Sequence, residues 1–237
     1  TTVAVSASYI ADGITRTASL LVLLRASSAR VLEVPTEYPT IQAAIAAAQS
    51  GDTVFVLPGE YLESVTLKEG IVLQGSGPDR TKIKVISSDG VMVRMEANCT
   101  LEGFTIDHVN RFIGAIHCLF PATISNNIIF GEVSIAQSTG KCFVRNNVIV
   151  CLSASAISLN NNCSSCSPLL VDIENNTITG VSPEGLFLQG SQGSVINVKN
   201  NIIANKETAI YDEQVNRAVQ HLFLSYNLFW NNAANVS

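Results

Sequence analysis

The chain has 237 residues, a formal net charge of −5 and only 14% charged residues, against about 25% in ordinary globular domains. Its 47% apolar content excludes a disordered chain, and a pI near 5.2 without a basic cluster argues against nucleic-acid binding. No apolar run approaches the length that a membrane-spanning helix needs. Asparagine takes the place of charge, because all 20 asparagines lie at or after Asn98.

Residues 1–31 differ from the rest and are predicted to be a separate N-terminal segment, followed by one domain over residues 32–237. The apolar run 18–24 follows Arg16, and Ser27 and Ala29 fit positions −3 and −1 of a secretory cleavage site. Two interpretations stay open for this segment: an uncleaved signal segment, or an extension packed on the body of the protein.

One helix is well marked near the start of the main domain. Thr40 is a suitable N-cap, and Ile41, Ala44, Ile45 and Ala48 form one apolar stripe before residues 51–52 end the helix. Short alternating runs punctuated by Gly and Pro follow, which predicts strands for the remainder.

A repeat of about 25 residues runs through the second half of the chain, marked by asparagine doublets. Complete or near-complete copies stand at residues 126–127, 146–147, 175–176, 200–201 and 226–227, with 103–104 as a degenerate copy. Two residues before each doublet and three after its first member, the side chain is apolar in all six copies. This fixed register predicts a solenoid of stacked strands.

The columns assign a structural role to both members of the doublet. The strand changes phase by one residue at the first member, and Gly or Asn tolerates the left-handed backbone of such a corner. Tyr226 is the exception in that column. The second member then points inward, and stacked amides can satisfy one another by hydrogen bonding. The predicted ladder consists of Asn127, Asn147, Asn176, Asn201 and Asn227, with Phe104 at its N-terminal end.

The same register constrains the six cysteines. Cys99 and Cys142 share a column two turns apart, roughly 9.6 Å, which is beyond disulfide reach. We therefore predict that these two are buried free thiols. Cys118, Cys151, Cys163 and Cys166 remain candidates for pairing. A lone Cys-x-x-Cys at 163–166 has no second pair to complete a zinc site, so no metal site is predicted.

The pattern resembles a right-handed parallel β-helix of the pectin-lyase-like superfamily over residues 32–237. The most specific segments are 34–45, 51–54, 57–63 and 73–77, which are similar to the opening of pectin methylesterases and NosD-like repeat proteins. The resemblance implies an all-β solenoid whose N-terminal α-helix caps the open strand edge. It also implies that the last turn, at 225–232, normally continues, so that the domain is truncated or is capped by a partner at its C-terminal end.

The resemblance to methylesterases covers Gly59-x-Tyr61-x-Glu63 but does not extend to their later glutamine and arginine motifs. The segment Asn127-Ile128-Ile129-Phe130-Gly131 resembles a methylesterase motif, but Asn127 occupies the position of its nucleophilic carboxylate. Methylesterase activity is therefore not expected.

Two classes of function stay open. One is a non-catalytic secreted or surface module that is carbohydrate-binding, adhesive or structural, and it is favoured because most repeated polar residues have structural roles. The other is a polysaccharide-active enzyme, a uronate lyase or epimerase or a glycoside hydrolase. Its candidate catalytic residues are Asp107, His108, Arg111 and His117.

Further candidates concern ligands and partners. The polar column Arg145, Glu174 and Lys199 is either a surface charge ladder or a substrate groove. Residues 211–213 are a weak candidate for calcium or sugar, and no cofactor is otherwise indicated. The expected partner is a polysaccharide or cell-surface glycan, with no nucleic acid and no membrane span. The expected location is extracellular or in the cell envelope.

Overall fold

The computed structural model describes residues 2–11, 14–23, 28–85, 91–108, 114–136, 140–152, 155–160, 167–189, 193–213 and 221–237. The chain divides into two units, residues 1–30 and residues 31–237. In the first unit, β1 (Thr2–Ala11) and β2 (Ile14–Leu23) pair as an antiparallel hairpin, in register from Thr2–Leu23 to Ala11–Ile14.

The second unit is a parallel β-solenoid, which confirms the predicted all-β fold. Each complete turn contributes one strand to each of three parallel sheets, and every strand pairs with its equivalents in the turns before and after it. Within the described residues the first sheet has nine strands and the other two have eight each.

The strand bounds follow the order of the turns. The first sheet contains β3 (Val31–Val34), β4 (Thr53–Val56), β7 (Val72–Gly75), β10 (Cys99–Glu102), β13 (Ala122–Ser125), β16 (Gly140–Arg145), β19 (Leu169–Glu174), β22 (Val195–Lys199) and β25 (His221–Ser225). The second contains β5 (Gly59–Tyr61), β8 (Thr81–Val85), β11 (Thr105–His108), β14 (Ile128–Phe130), β17 (Val148–Val150), β20 (Thr177–Thr179), β23 (Ile202–Ala204) and β26 (Leu228–Trp230). The third contains β6 (Val65–Thr66), β9 (Val93–Met95), β12 (Gly114–Cys118), β15 (Glu132–Ala136), β18 (Ile157–Asn160), β21 (Glu184–Gln189), β24 (Thr208–Asp212) and β27 (Ala234–Val236).

The single helix of the described chain, α1 (Ile41–Ala47), lies at the start of the solenoid. The Thr40 side chain accepts a hydrogen bond from the Ala43 N–H, as the N-cap prediction requires. Ile41, Ala44 and Ile45 are buried, and the helix contacts β3, β4 and β6. Among the described residues no helix has the length and apolar content to cross a membrane.

The motif that resembles methylesterases holds this N-terminal end together. The Glu63 carboxylate accepts hydrogen bonds from the Ile41 and Gln42 N–H groups at 2.9 and 3.0 Å, at the positive end of α1. The Tyr61 hydroxyl donates to the Leu57 carbonyl at 2.9 Å. Both side chains therefore have architectural roles.

The asparagine columns adopt the predicted conformations. The first members of the doublets have positive φ between 55° and 58°, and Tyr226 adopts the same conformation at 55° despite its bulk. The second members are inward and form the predicted ladder. From Asn147 onward, each Asn Oδ1 accepts from the backbone N–H and the amide of the preceding rung, as Asn176 does from Asn147 at 3.0 Å in both cases. Phe104 begins the ladder, since its N–H donates to Asn127 Oδ1.

The core is the interior of the solenoid, filled by the aliphatic columns on both sides of the ladder. Cys99 and Cys142 lie in the predicted column, which continues through Val171 and Ile196. Within the described chain Cys99, Cys118, Cys142 and Cys151 are buried thiols that are not in disulfide bonds. Cys163 and Cys166 lie outside the described residues.

Candidate functional site

The outward face of the third sheet gathers polar and aromatic side chains into one row. Successive strands place their outward residues side by side, and the row is Arg94, His117, Ser134, Ser158, Phe187 and Tyr211. The residues that alternate with them, such as Val133, Ile135 and Leu186, are fully buried. We call this row, with the flanking Glu132, Asn160, Gln189 and Glu213, the sheet-3 face.

The C-terminal half of the sheet-3 face is aromatic. The Phe187 and Tyr211 rings on β21 and β24 are stacked, with centroids 5.8 Å apart and planes 21° apart, and both residues are partly buried. Beside them the Gln189 amide donates to the Glu213 carboxylate at 2.7 Å. A flat apolar surface therefore lies next to a fixed pair of planar hydrogen-bonding groups.

The N-terminal half is polar and titratable. The Ser158 hydroxyl bonds to the Glu132 carboxylate, and the Asn160 amide donates to Ser158. Burial raises the pKa of Glu132, although the bond from Ser158 opposes the shift. On the neighbouring strand burial lowers the pKa of His117, and the positive charge of Arg94 lowers it further. The face thus carries a carboxyl group whose pKa is raised and, on the neighbouring strand, an imidazole whose pKa is lowered.

The predicted catalytic cluster is only partly described by the structure. His117 lies on the sheet-3 face, but Asp107 lies on the second sheet, between Lys84 and Phe130 in the register. His108 is the last residue of β11, and its side chain lies outside the described part, as does all of Arg111. The structure places Asp107 and His117 on different sheets, and the four-residue site stays a prediction.

The charged column of the first sheet forms ion pairs within the sheet. Arg145 Nε lies 3.2 Å from Glu174, and Arg145 Nη2 lies 3.5 Å from the buried Asp172, which Lys141 also pairs at 2.7 Å. Burial would raise the pKa of Asp172, but hydrogen bonds from Lys141 and Asn197 and the nearby cations hold it below its usual value. Lys199 is exposed and lies beside Glu174 in the register. This pattern favours a surface charge ladder over a substrate groove.

The calcium candidate at 211–213 separates into different environments. Tyr211 and Glu213 belong to the sheet-3 face, whereas Asp212 is level with the buried Leu188 on the inward side. Burial raises the pKa of Asp212, and its buried Oδ1 has no hydrogen-bond partner among the described residues. Across the described segments no three His, Cys, Asp or Glu side chains are arranged to hold a metal ion.

Sequence reasoning missed Glu132 and Phe187, and it named Tyr211 within the candidate 211–213 without its aromatic partner. Phe187 and Tyr211 are separated by 24 positions in the sequence, and nothing local marks them as neighbours. Their contact follows only from the register of the third sheet, where Phe187 pairs with Tyr211.

Comparisons with known proteins agree with this fold. The model of a family described as "Periplasmic copper-binding protein (NosD)" matches residues 45–237. No curated protein sequence matches the chain significantly.

Solved structures share the architecture at low sequence identity. The catalytic unit of a GH87 α-1,3-glucanase from Streptomyces thermodiastaticus strain HF3-3 is 18% identical with a TM-score of 0.58, over 84% of this chain. This chain spans about half of that unit, 47%. YbhC of Escherichia coli is 14% identical with a TM-score of 0.54, over 96% of this chain and 90% of its own length. These similarities concern the fold alone.

The described residues do not fit a copper site. Thiolate is the form of cysteine that binds soft metals, but burial raises the pKa of Cys99 to about 12, and its thiol donates to the Glu96 carbonyl. A hydrogen bond with Cys142 and burial also raise the pKa of Cys118. These sulfurs are held as protonated thiols, so we derive no chemistry through copper.

Proposed function

The chain belongs to the NosD family, and from that premise we propose that it is a carbohydrate-binding module of the cell envelope that holds a glycan along the sheet-3 face. The observation that carries the proposal is the stacked pair Phe187 and Tyr211 beside the Gln189–Glu213 pair. The C–H face of a sugar ring packs on an aromatic ring, and its hydroxyl groups suit planar amide and carboxylate partners.

The spacing of the solenoid supports an extended ligand. Parallel strands repeat every ~4.8 Å, which is comparable with the length of one sugar unit, so a glycan lying across the strands meets an equivalent position in each turn. Ser134 and Asn160 continue the face with a hydroxyl and an amide group. An envelope location accords with the family's description as periplasmic.

The test removes the aromatic surface without touching the core. Tyr211→Ala and Phe187→Ala should each weaken binding to a glycan identified on an array about tenfold, the effect of losing about 1.4 kcal/mol. Phe223→Ala is the matched control, since Phe223 is a 56% exposed aromatic residue on the first sheet. Isothermal titration calorimetry measures the affinities. Equal affinity for Tyr211→Ala and Phe223→Ala would refute the proposal.

A second candidate function is polysaccharide cleavage or epimerisation on the same face. The observation that favours it is that Glu132 and His117 lie on the neighbouring strands β15 and β12, with their pKa values displaced in opposite directions, as suits a general acid and a general base. Incubation with uronate polymers and neutral glucans, assayed for unsaturated product and reducing ends, tests it. Product that disappears in both Glu132→Gln and His117→Gln would establish enzymatic activity. If no polymer gives product, carbohydrate binding stays the proposed function.

A further inference from the structure

A buried lysine occupies the corner between the second and third sheets near the C-terminal end. Lys206 is only 3% exposed and follows Asn205, whose φ is +61°. An ammonium group has three protons to donate. One goes to the Thr179 carbonyl at 3.1 Å and one to the Ser182 hydroxyl, and within the described chain no acceptor takes the third.

Among the described residues, the positive charge of Lys206 has no direct counter-ion. None of the ion pairs formed by described side chains includes it. Burial lowers the pKa of Lys206 to about 8, and the nearby Cys151 and Glu184 side chains oppose the shift without cancelling it. A buried ammonium without a paired anion is costly.

The corner does not itself require a cation. Asn232 follows the left-handed Asn231 in the next turn, as Lys206 follows Asn205. Its uncharged amide donates to the Ile203 carbonyl at 2.9 Å and its oxygen accepts from the Lys206 N–H. An amide at position 206 could bond a backbone carbonyl in the same way. The hydrogen bonding of this corner therefore does not explain why position 206 carries a charge.

Lys206 lines a cavity of about 450 Å³. Its other polar lining residues are Ser182, Asn205, Glu207, Asn231 and Asn232. The Asn231 amide donates one proton to Asn205 Oδ1 and the Asn232 amide one to Ile203 O, and each –NH₂ group has a second proton. The cavity is thus rich in hydrogen-bond donors around one positive charge.

We propose that this cavity binds a single carboxylate group, which accepts the third proton of Lys206 and the remaining amide protons. A charge-assisted hydrogen bond of this kind is among the stronger ones that a protein makes. The ligand is a monoanion because the cavity supplies one positive charge, while the exposed Glu207 and the net charge of −5 oppose a second negative charge. The inference is independent of the sheet-3 face.

The experiment titrates the whole chain with sodium acetate and with sodium D-glucuronate, at constant ionic strength, and follows the backbone amide resonances by NMR. We expect saturable shifts confined to residues around the cavity, no such shifts with D-glucose, and weaker binding of sodium sulfate. Lys206→Gln should lose affinity about tenfold or more, because it keeps hydrogen-bonding capacity and removes the charge. Glu207→Gln is the matched control and should bind acetate at least as tightly as the wild type.

A second readout keeps the test decisive if Lys206→Gln is unstable. In the wild-type protein a bound carboxylate stabilises the ammonium, so acetate should raise the pKa of Lys206 measured from its side-chain resonances. No saturable acetate shift, or equal affinity in the wild type and in folded Lys206→Gln, would overturn the proposal. Binding to neutral glycans reports on the sheet-3 face separately, so either proposal can fail alone.

Discussion

Replacing one rung of the asparagine ladder should destabilise the fold far more than replacing its neighbour in the doublet. Asn176 lies in the middle of the ladder and is 1% exposed. Its amide donates to Val144 O at 2.8 Å and to Asn201 Oδ1 at 3.0 Å, and its oxygen accepts from the N–H and the amide of Asn147. Asn176→Ala removes these four bonds and leaves the buried Asn147 N–H without an acceptor.

The magnitude follows from the number of bonds lost. At about 1 kcal/mol net for each hydrogen bond, Asn176→Ala should lower the free energy of unfolding by about 4 kcal/mol. For a chain of this size that corresponds to a fall in Tm of about 8–16 °C. Asn176→Asp keeps the shape and an acceptor but loses the donor and buries a charge, so its deficit at neutral pH should shrink as the pH falls and the carboxyl group is protonated.

The control is Asn175→Gly, one residue away. Asn175 is exposed and has a φ of +58°, a conformation that glycine adopts readily. Asn175→Gly should lower the free energy of unfolding by no more than about 1 kcal/mol. Urea unfolding monitored by circular dichroism, together with calorimetry, measures both variants. If Asn176→Ala and Asn175→Gly lose similar stability, the inward amides do not hold the turns together and the argument is wrong.

Three further predictions concern charge and backbone. The pKa of Asp172 is lowered in the fold, so its ionised form stabilises the protein above its ordinary pKa near 4. That stability is lost as the pH falls, and Asp172→Asn should flatten the acid limb of a stability–pH curve. Folding lowers the pKa of Lys206 from 10.5 to about 8, so between pH 8 and pH 10.5 the unfolded chain binds more protons than the folded chain. The free energy of unfolding should therefore rise with pH over this range, and Lys206→Met should remove the rise. A Cβ at Gly180 would lie 2.1 Å from the Cys151 carbonyl oxygen, whereas a Cβ at Gly51 meets nothing within 4 Å. Gly180→Ala should therefore lower the free energy of unfolding by more than about 2 kcal/mol, and Gly51→Ala by less than that, as measured by thermal unfolding.

The architecture could be predicted because its constraints repeat at a fixed distance from the doublets. The apolar position three residues after the first doublet member is fully buried at Ile106, Ile129, Ile149, Ile178 and Ile203. One inward position and one left-handed corner recur in each of the six turns from Gly103 to Tyr226, so sequence columns reproduce spatial columns. Tyr226 shows that the geometry of the preceding turns prevails over the preference of one residue, since it adopts the corner conformation nonetheless.

The site could not be found in this way because its distance from the doublets varies. His117 lies 14 residues after Gly103, whereas Ser134 lies only 8 after Asn126. The corner between the second and third sheets changes length from turn to turn, so the third-sheet residues form no sequence column. Their environment is also invisible in the sequence: the pKa of Glu132 depends on burial and on Ser158 from the next turn.

This difference between the corners explains how one solenoid can carry a surface that varies from turn to turn. The amide ladder aligns successive turns at the first corner, where each Asn Oδ1 from Asn147 onward receives two bonds from the rung before it. Because the ladder sets the register at the first corner, the corner before the third sheet is free to change in length. Glu132 of the sheet-3 face and Lys206 both lie at or next to this variable corner. Loops tolerate insertion where the scaffold does not depend on them. Substitutions on the sheet-3 face should therefore change binding with little loss of stability, whereas substitutions in the ladder should lower stability and binding together.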